Sequence, residues 1–248
     1  VILNGIMMST RSWAEFIEPL AEHNQLILID FLDQGQSDKL EGEYTHSVQV
    51  EATFELLTAI TNQPVHLFGI SYGGEIALQV ALKYPEIVQK LLLFNTCAET
   101  SYWLEEVGNS WNKASKDPEA YYLSTIPYIY SPMFFTKNRA WMENRKKVLI
   151  PVFSDENFIQ SMIRLTNSSV SYNVTDRLHE IDVPTLIVGS EYDFVTPFYQ
   201  QKELHEKIKN SELVYIPESG HGIMYEKPVL FTSLIIGFVK QAKAEFNI

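Results

Sequence analysis

The sequence predicts an α/β protein: a mostly parallel sheet flanked by helices and interrupted once by a helical insertion. Three observations carry this. Short runs rich in Leu, Ile and Val alternate with longer segments of helical periodicity, the order that buries a parallel sheet on both faces. At 248 residues and 46% hydrophobic, the chain is long enough for one such core and too apolar for a disordered chain. The alternation stops over 98–182, where helical patterns are broken by Pro118, Pro127, Pro132 and Pro151, and then resumes.

In chain order, 1–4 reads as a strand, and 10–23 as a helix with Trp13, Phe16, Ile17 and Leu20 on one face. A second strand over 25–31 precedes a helix over 45–61, whose Phe54, Leu57 and Ile60 are spaced for one face. Strand 64–70, helix 72–84 and strand 88–94 follow, with Pro85 ending the helix. After the insertion come strand 184–188, helix 197–210, strand 212–216 and a last helix over about 228–244. The expected division is a core of 1–97 and 183–248, with a cap or lid over 98–182. That segment holds 13 aromatic residues, enough both to make a core of its own and to line a site beneath it.

Composition excludes several classes. Asp and Glu outnumber Lys and Arg 31 to 19, a net charge of −12, which argues against a nucleic-acid backbone as partner because that requires clustered cations. One cysteine, Cys97, leaves no intrachain disulfide framework and no thiolate metal cluster, and it fits a reducing, cytoplasmic compartment. The longest apolar run, 229–239, falls well short of the roughly 20 residues of a membrane-spanning helix. The chain opens on Val1-Ile2-Leu3 without an initiator Met, which reads as numbering that starts inside a longer protein and leaves open whether a leader precedes it. His179-Glu180 and His205-Glu206 lack the second histidine of a zinc-protease helix, and no glycine-rich phosphate-binding pattern is present. No metal or organic cofactor is expected.

The most informative residues are Gly69-Ile70-Ser71-Tyr72-Gly73-Gly74, between an apolar strand and an amphipathic helix. A serine on a strained strand-to-helix turn crowds the positions two residues before and after it, so Gly69 and Gly73 are required there. The same turn aims the first amides of the helix, which carry partial positive charge, at the space beside the hydroxyl.

With this G-x-S-x-G turn in its strand–helix context, the chain resembles the α/β-hydrolase superfamily over essentially its whole length. Leu3-Asn4-Gly5-Ile6 is similar to the family's His-Gly oxyanion loop, and 30–38 to its D-x-x-G-x-G-x-S-D turn. The strand ahead of Glu191-Tyr192-Asp193 resembles the one that delivers the catalytic acid, and Gly220-His221-Gly222 lies where the family has its histidine. Two positions depart from the pattern: Asn4 replaces the loop histidine, and Asp33 replaces the first glycine of the turn. The two strands that usually precede the oxyanion loop have no counterpart in the chain.

The resemblance implies a catalytic triad of Ser71, His221 and Asp193, in the chain order of that fold. Glu191 is the near alternative to Asp193, and Glu99 occupies a position some members use. It implies oxyanion donors at the backbone N–H groups of Ile6 and Tyr72. His46 could lie near the pocket, whereas His23, His66, His179 and His205 read as structural or solvated. Met7, Tyr102, Trp103 and Met133 are the candidate substrate contacts, as part of an apolar wall. The implied activity is hydrolysis of a small to medium carboxylic ester, thioester or lactone with an apolar acyl part, through an acyl-enzyme. Amide, aminopeptidase or carbon–carbon bond hydrolysis by the same triad, and a slow-turnover ligand receptor, are the alternatives.

Overall fold

The protein is described here by a computed structural model, which covers residues 1–22 and 24–240. Strands β1 (Ile2–Leu3), β2 (Leu28–Ile29), β3 (Val65–Ile70), β4 (Val88–Phe94), β5 (Thr185–Tyr192) and β6 (Ser211–Gly220) form one parallel sheet in the order β2-β1-β3-β4-β5-β6. Leu3 pairs with Gly69, Ile70 with Phe94, and Phe94 with Val188. The carboxyl ends of β1, β3 and β4 are therefore nearly level, β5 runs on four residues past them, and the loops leaving these strands meet at one end of the sheet, where open α/β sheets place ligands.

The helices are α1 (Ile17–Ala21), α2 (His46–Ile60), α3 (Tyr72–Lys83), α4 (Tyr102–Ala114), α5 (Pro118–Ile129), α6 (Pro132–Lys137), α7 (Arg139–Phe153), α8 (Glu156–Ser168), α9 (Phe198–Lys207), α10 (Ile223–Glu226) and α11 (Pro228–Lys240). Five of them, α4 to α8, occupy the segment between β4 and β5 that the sequence sets apart. Their breaks have local causes. Ser101, Asp117, Ser131 and Asp155 each accept first-turn N–H groups as N-caps, and Pro118 and Pro132 sit at the starts of α5 and α6, where no N–H is needed. Pro127 and Pro151 fall in the last turns of α5 and α7.

Several element boundaries differ from the sequence reading. The helix expected over 10–23 is a 3₁₀ turn at Thr10–Trp13 followed by the short α1. Pro19 has no N–H and its ring blocks the carbonyl one turn earlier, so a helix containing it can begin only just before it. Trp13, Phe16 and Leu20 are buried as expected, but Ile17 is 43% exposed. The inward face of α2 is His46, Gln49, Val50, Thr53 and Leu57, whereas Ile60 points out; apolar spacing misplaces the face because three of its inward residues are polar. The strand expected over 25–31 pairs only at Leu28–Ile29, against the two residues of β1. β5 and β6 run four residues further than expected, through mostly polar positions where the ladder between them continues with a shift of register between Ser190 and Tyr192. His23 and the expected end of the last helix, 241–244, lie outside the described residues.

A separate cluster packs on the α11 side of the sheet: Trp13 stacks on Phe231 at 6.1 Å, and Phe68 meets Trp13 edge-on at 5.7 Å. α3, buried along nearly its whole length, lies in the other, larger core, and its rigid seat fixes the turn that precedes it. Among the described residues, no helix is long and apolar enough to cross a membrane.

Candidate active site

Ser71 caps α3 with φ 53° and ψ −124°, a left-handed conformation that costs a non-glycine residue of order 1–3 kcal/mol. The surroundings impose it. Ser71 N–H donates to Phe94 O at 3.0 Å, and Thr96 Oγ1 donates to Ser71 O at 2.8 Å. A Cβ on Gly69 would overlap the Gly73 carbonyl and come within 2.7 Å of Gly74 Cα, and one on Gly73 would overlap the Leu3 carbonyl. The two glycines are thus the price of passing strand, turn and helix through a space with no room for side chains.

Asp193 follows β5, and His221 follows β6, on loops leaving the same end of the sheet. His221 Nδ1 and Asp193 Oδ2 are hydrogen-bonded at 2.7 Å. The carboxylate is itself fixed: Oδ1 accepts from the backbone N–H groups of Val195 (2.9 Å) and Thr196 (2.8 Å), and Oδ2 from Thr196 Oγ1 (2.9 Å). The histidine loop is held from three sides. Asn95, at the end of β4 with φ 45°, donates from Nδ2 to Gly220 O and His221 O, both at 3.2 Å. Gly222 N–H donates to Ile129 O of α5 at 2.7 Å. Glu226 Oε1 accepts from Gly220 N–H (3.1 Å) and Ser131 N–H (2.7 Å), while Oε2 accepts from Ser131 Oγ (2.6 Å).

Tyr72 N–H is the first amide of α3 and has no acceptor inside its helix. Ile6 lies on the loop after β1, and that loop is tied down by a buried amide network. Trp13 Nε1 donates to Asn4 Oδ1 at 2.7 Å, and Asn4 Nδ2 donates to Ile29 O at 2.8 Å and Gln34 Oε1 at 3.1 Å. Gln34 Nε2 in turn donates to Gly5 O (2.9 Å) and Ile6 O (3.1 Å), fixing the peptide planes that aim the loop's amides. Sequence reasoning treats Asn4 only as a departure and passes over Gln34; the signal available was an amide inside the 30–38 turn, next to the loop it serves.

Asp33, the second departure, has φ 72°, the conformation a glycine would suit at that position. Its buried carboxylate forms a two-point pair with Arg164 of α8: Nη2 to Oδ1 at 2.5 Å and Nε to Oδ2 at 3.0 Å. Tyr44 OH, Ser161 Oγ and Leu40 N–H also donate to it. Burial works to raise its pKa, but the hydrogen bonds from Arg164, Tyr44 and Leu40 outweigh that and hold the carboxyl below the ordinary aspartate value. Asp33 thus ties the helical insertion to the core.

Ser71 and His221 border one cavity of about 140 Å³. Its floor includes Gly5, Ile6 and Met7, and its roof comes from α4, α5, α7 and α8, through Trp111, Ile126, Leu149, Phe153 and Phe158 among others. Of the expected substrate contacts the structure brings only Met7 to this wall. Tyr102 is 78% exposed in the first turn of α4, and Trp103 lies over the loop after Asp193, donating from Nε1 to Phe194 O at 2.8 Å. Met133, in the first turn of α6, also lies away from the cavity. The lining comes instead from residues further along the helices, where amphipathic faces turn inward.

The competing residues fall elsewhere. Glu191 accepts from Glu218 N–H at 2.8 Å, and Glu99 from Asn173 Nδ2 at 2.6 Å, both away from His221. His46 is buried behind the elbow, with Nδ1 against Gln79 Nε2 at 2.9 Å and Nε2 3.4 Å from Glu75 Oε2; burial lowers its pKa to about 3. Burial raises Glu75 to about 7, partly offset by its contact with Cys97 Sγ. Among the described residues, no group of three or more His, Cys, Asp and Glu side chains is placed to hold a metal ion.

A parallel sheet with a strained serine between β3 and α3, and a histidine–aspartate pair after its last two strands, is the arrangement of the α/β hydrolase fold. The sequence profile of that fold family matches residues 1–228, and the chain belongs to the α/β-hydrolase family. An α/β hydrolase enzyme from a Medee basin deep-sea metagenome library, MGS-M2, superposes with a TM-score of 0.97 at 47% identity, covering 100% of this chain and 90% of that one. A protein of Azorhizobium caulinodans assigned as the carbamate hydrolase RutD is 27% identical over 229 residues, covering 91% of this chain and 85% of its own. The proline iminopeptidase of Saccharolobus solfataricus is 28% identical over 259 residues, covering 92% and 81%.

Proposed function

We propose that this hydrolase cleaves a small to medium carboxylic ester, thioester or lactone through a covalent acyl-enzyme on Ser71. The observation that carries the reading is a serine strained at φ 53° on the wall of the cavity that also receives His221, whose ring is bonded to Asp193 at 2.7 Å. In this reading His221 Nε2 removes the Ser71 proton as Oγ attacks the carbonyl carbon. Asp193 accepts from Nδ1–H, which selects the tautomer with a free Nε2 and stabilises the imidazolium. The N–H groups of Ile6 and Tyr72 receive the oxyanion, a contribution of about 3 kcal/mol for each such donor in related chemistry. His221 then protonates the leaving oxygen or sulfur, and afterwards deprotonates the water that releases the acid.

The insertion over 98–182 serves as a cap, and the cavity it closes sets the substrate. At about 140 Å³ the space compares with apolar cavities that admit a benzene ring, so the part of the substrate it holds is about that size and mostly apolar. A lone buried Cys97 fits a cytoplasmic, reducing setting. The iminopeptidase relative brings a second reading, cleavage of an amide next to a free ammonium. The cavity lining disfavours it, because no carboxylate is among those residues to receive a cation. A panel of p-nitrophenyl esters, thioesters, lactones and anilides on the wild type beside Ser71→Ala tests the proposal. Ester turnover and fluorophosphonate labelling that both vanish in Ser71→Ala are expected; full labelling of the variant would overturn the assignment of the nucleophile.

A further inference from the structure

One cation stands on the wall of this otherwise apolar cavity: Arg145, from the middle of α7. Its guanidinium carbon lies 4.7 Å from the centre of the Tyr225 ring, 5.3 Å from Trp141 and 6.0 Å from Tyr130. Three rings around a guanidinium hold its plane and displace water from it. Yet among the described residues no carboxylate pairs with it. Glu226, next to Tyr225 in the chain, is occupied by Ser131 and Gly220. The Arg145 Nε is buried and has no hydrogen-bond partner. A buried donor on a permanent cation, left unpaired, is a cost that folds avoid unless a ligand meets it.

We propose that Arg145 receives a carboxylate carried by the substrate at a distance from the bond that is cleaved, so that the natural substrate is an acidic ester, thioester or lactone. This rests on the hydrolase reading above and adds the chemical class of its substrate. A carboxylate matches the planar fork of the guanidinium in two-point contact, as a single neutral acceptor does not. The other lining groups, mostly Ile, Leu, Val, Met, Phe and Trp side chains, offer a dianionic phosphate too few donors to replace its water. The chain's net charge of −12 gives an anionic substrate no attraction at long range, so recognition falls to this single shielded cation.

The test compares two acyl donors with the same five-carbon chain, mono-p-nitrophenyl glutarate and p-nitrophenyl pentanoate. The wild type is expected to favour the glutarate in kcat/KM, and Arg145→Met to lower the glutarate-to-pentanoate ratio by about tenfold to a hundredfold, the range of a charged hydrogen-bonded contact. Arg145→Lys, which keeps the charge but loses the fork, should fall between them. A ratio unchanged in Arg145→Met would overturn the proposal. Calorimetric titration of Ser71→Ala with monomethyl glutarate and with methyl pentanoate decides it independently of turnover. Binding of the glutarate that is lost in Ser71→Ala/Arg145→Met supports the carboxylate site. Binding that is equal in the two proteins, or absent from both, overturns it. If the wild type hydrolyses neither ester, the hydrolase reading fails, and the calorimetry still rules on Arg145.

Discussion

Replacing Glu75 by glutamine should change how stability depends on pH, with a sign that follows from the burial of its carboxyl. Glu75 lies one turn after Ser71 on α3, buried against Cys97 and His46, and His46 in turn packs on the rings of Tyr72 and Tyr172. Burial disfavours its charged form and raises its pKa from 4.5 to about 7. A folded-state pKa above the unfolded one means that the native state binds the extra proton. The resulting stabilisation is complete below about pH 4.5 and is lost as pH rises through about 7. A shift of 7 − 4.5 at 1.36 kcal/mol per unit corresponds to about 3 kcal/mol. His46 acts in the opposite sense. Its pKa is lowered by burial from 6.5 to about 3, so its contribution is present above pH 6.5 and is lost as pH falls towards 3. Between pH 4.5 and 6.5 the two slopes oppose each other, and the wild type should show a flat stability profile there.

A glutamine side chain has nearly the same shape and no proton to bind, so the variant keeps the His46 slope alone. Urea unfolding of wild type and Glu75→Gln at pH 5 and pH 8 should show the wild type losing about 2 kcal/mol relative to the variant over that interval. Equal differences at both pH values would mean that Glu75 is ionised throughout or reached by water, and the account of a neutral buried carboxyl would be wrong.

Other consequences follow from the same contacts. Arg164→Met leaves the Asp33 carboxylate buried without its cation and should destabilise the fold by about 3 kcal/mol, measured by urea unfolding; a loss below about 1 kcal/mol would show the pair to be solvated. Asn95→Gly suits the positive φ at that position but removes the bonds to Gly220 and His221, so kcat on a p-nitrophenyl ester should fall by about tenfold or more with KM nearly unchanged. Asp193→Asn should lower kcat by about 10⁴-fold, because an amide can hold the wrong tautomer of His221. Phe153→Ala enlarges the roof of the cavity and should move the preferred p-nitrophenyl ester to a longer acyl chain, at about 3–5 kcal/mol of stability; an unchanged chain-length profile would remove α7 from substrate selection.

The frame of the site was legible because it rests on backbone requirements that leave a mark in residue type. Gly69 and Gly73 stand where no Cβ fits, and strands β3 and β4 are nearly continuous apolar runs because both their faces are covered. What could not be read depends on which way a side chain turns. Tyr102 and Trp103 have the composition of a pocket wall, but α4 turns them outward, while Trp111, two turns further on, reaches the cavity. Arg145 is one cation among the many of α7, and nothing local distinguishes it from its exposed neighbour Lys147; only the packing of Tyr130, Trp141 and Tyr225 around it does so. The face of α2 was misplaced for a related reason: His46, Gln49 and Thr53 point inward, and burying polar groups is invisible to a hydrophobic pattern.

The two departures from the family pattern bear on opposite sides of the cavity, and both replace a backbone solution with a side-chain one. A glycine at position 33 would take φ 72° without strain; Asp33 accepts that conformation and uses its carboxylate to hold α8 through Arg164 and Ser161. On the floor, Asn4 holds the loop to Trp13, Ile29 and Gln34 by neutral hydrogen bonds, none of which depends on a proton that comes and goes near neutral pH. Roof and floor are therefore fixed by an ion pair and by amide hydrogen bonds that keep their charge state near neutral pH. The geometry around Ser71 can then stay constant as pH varies around neutrality.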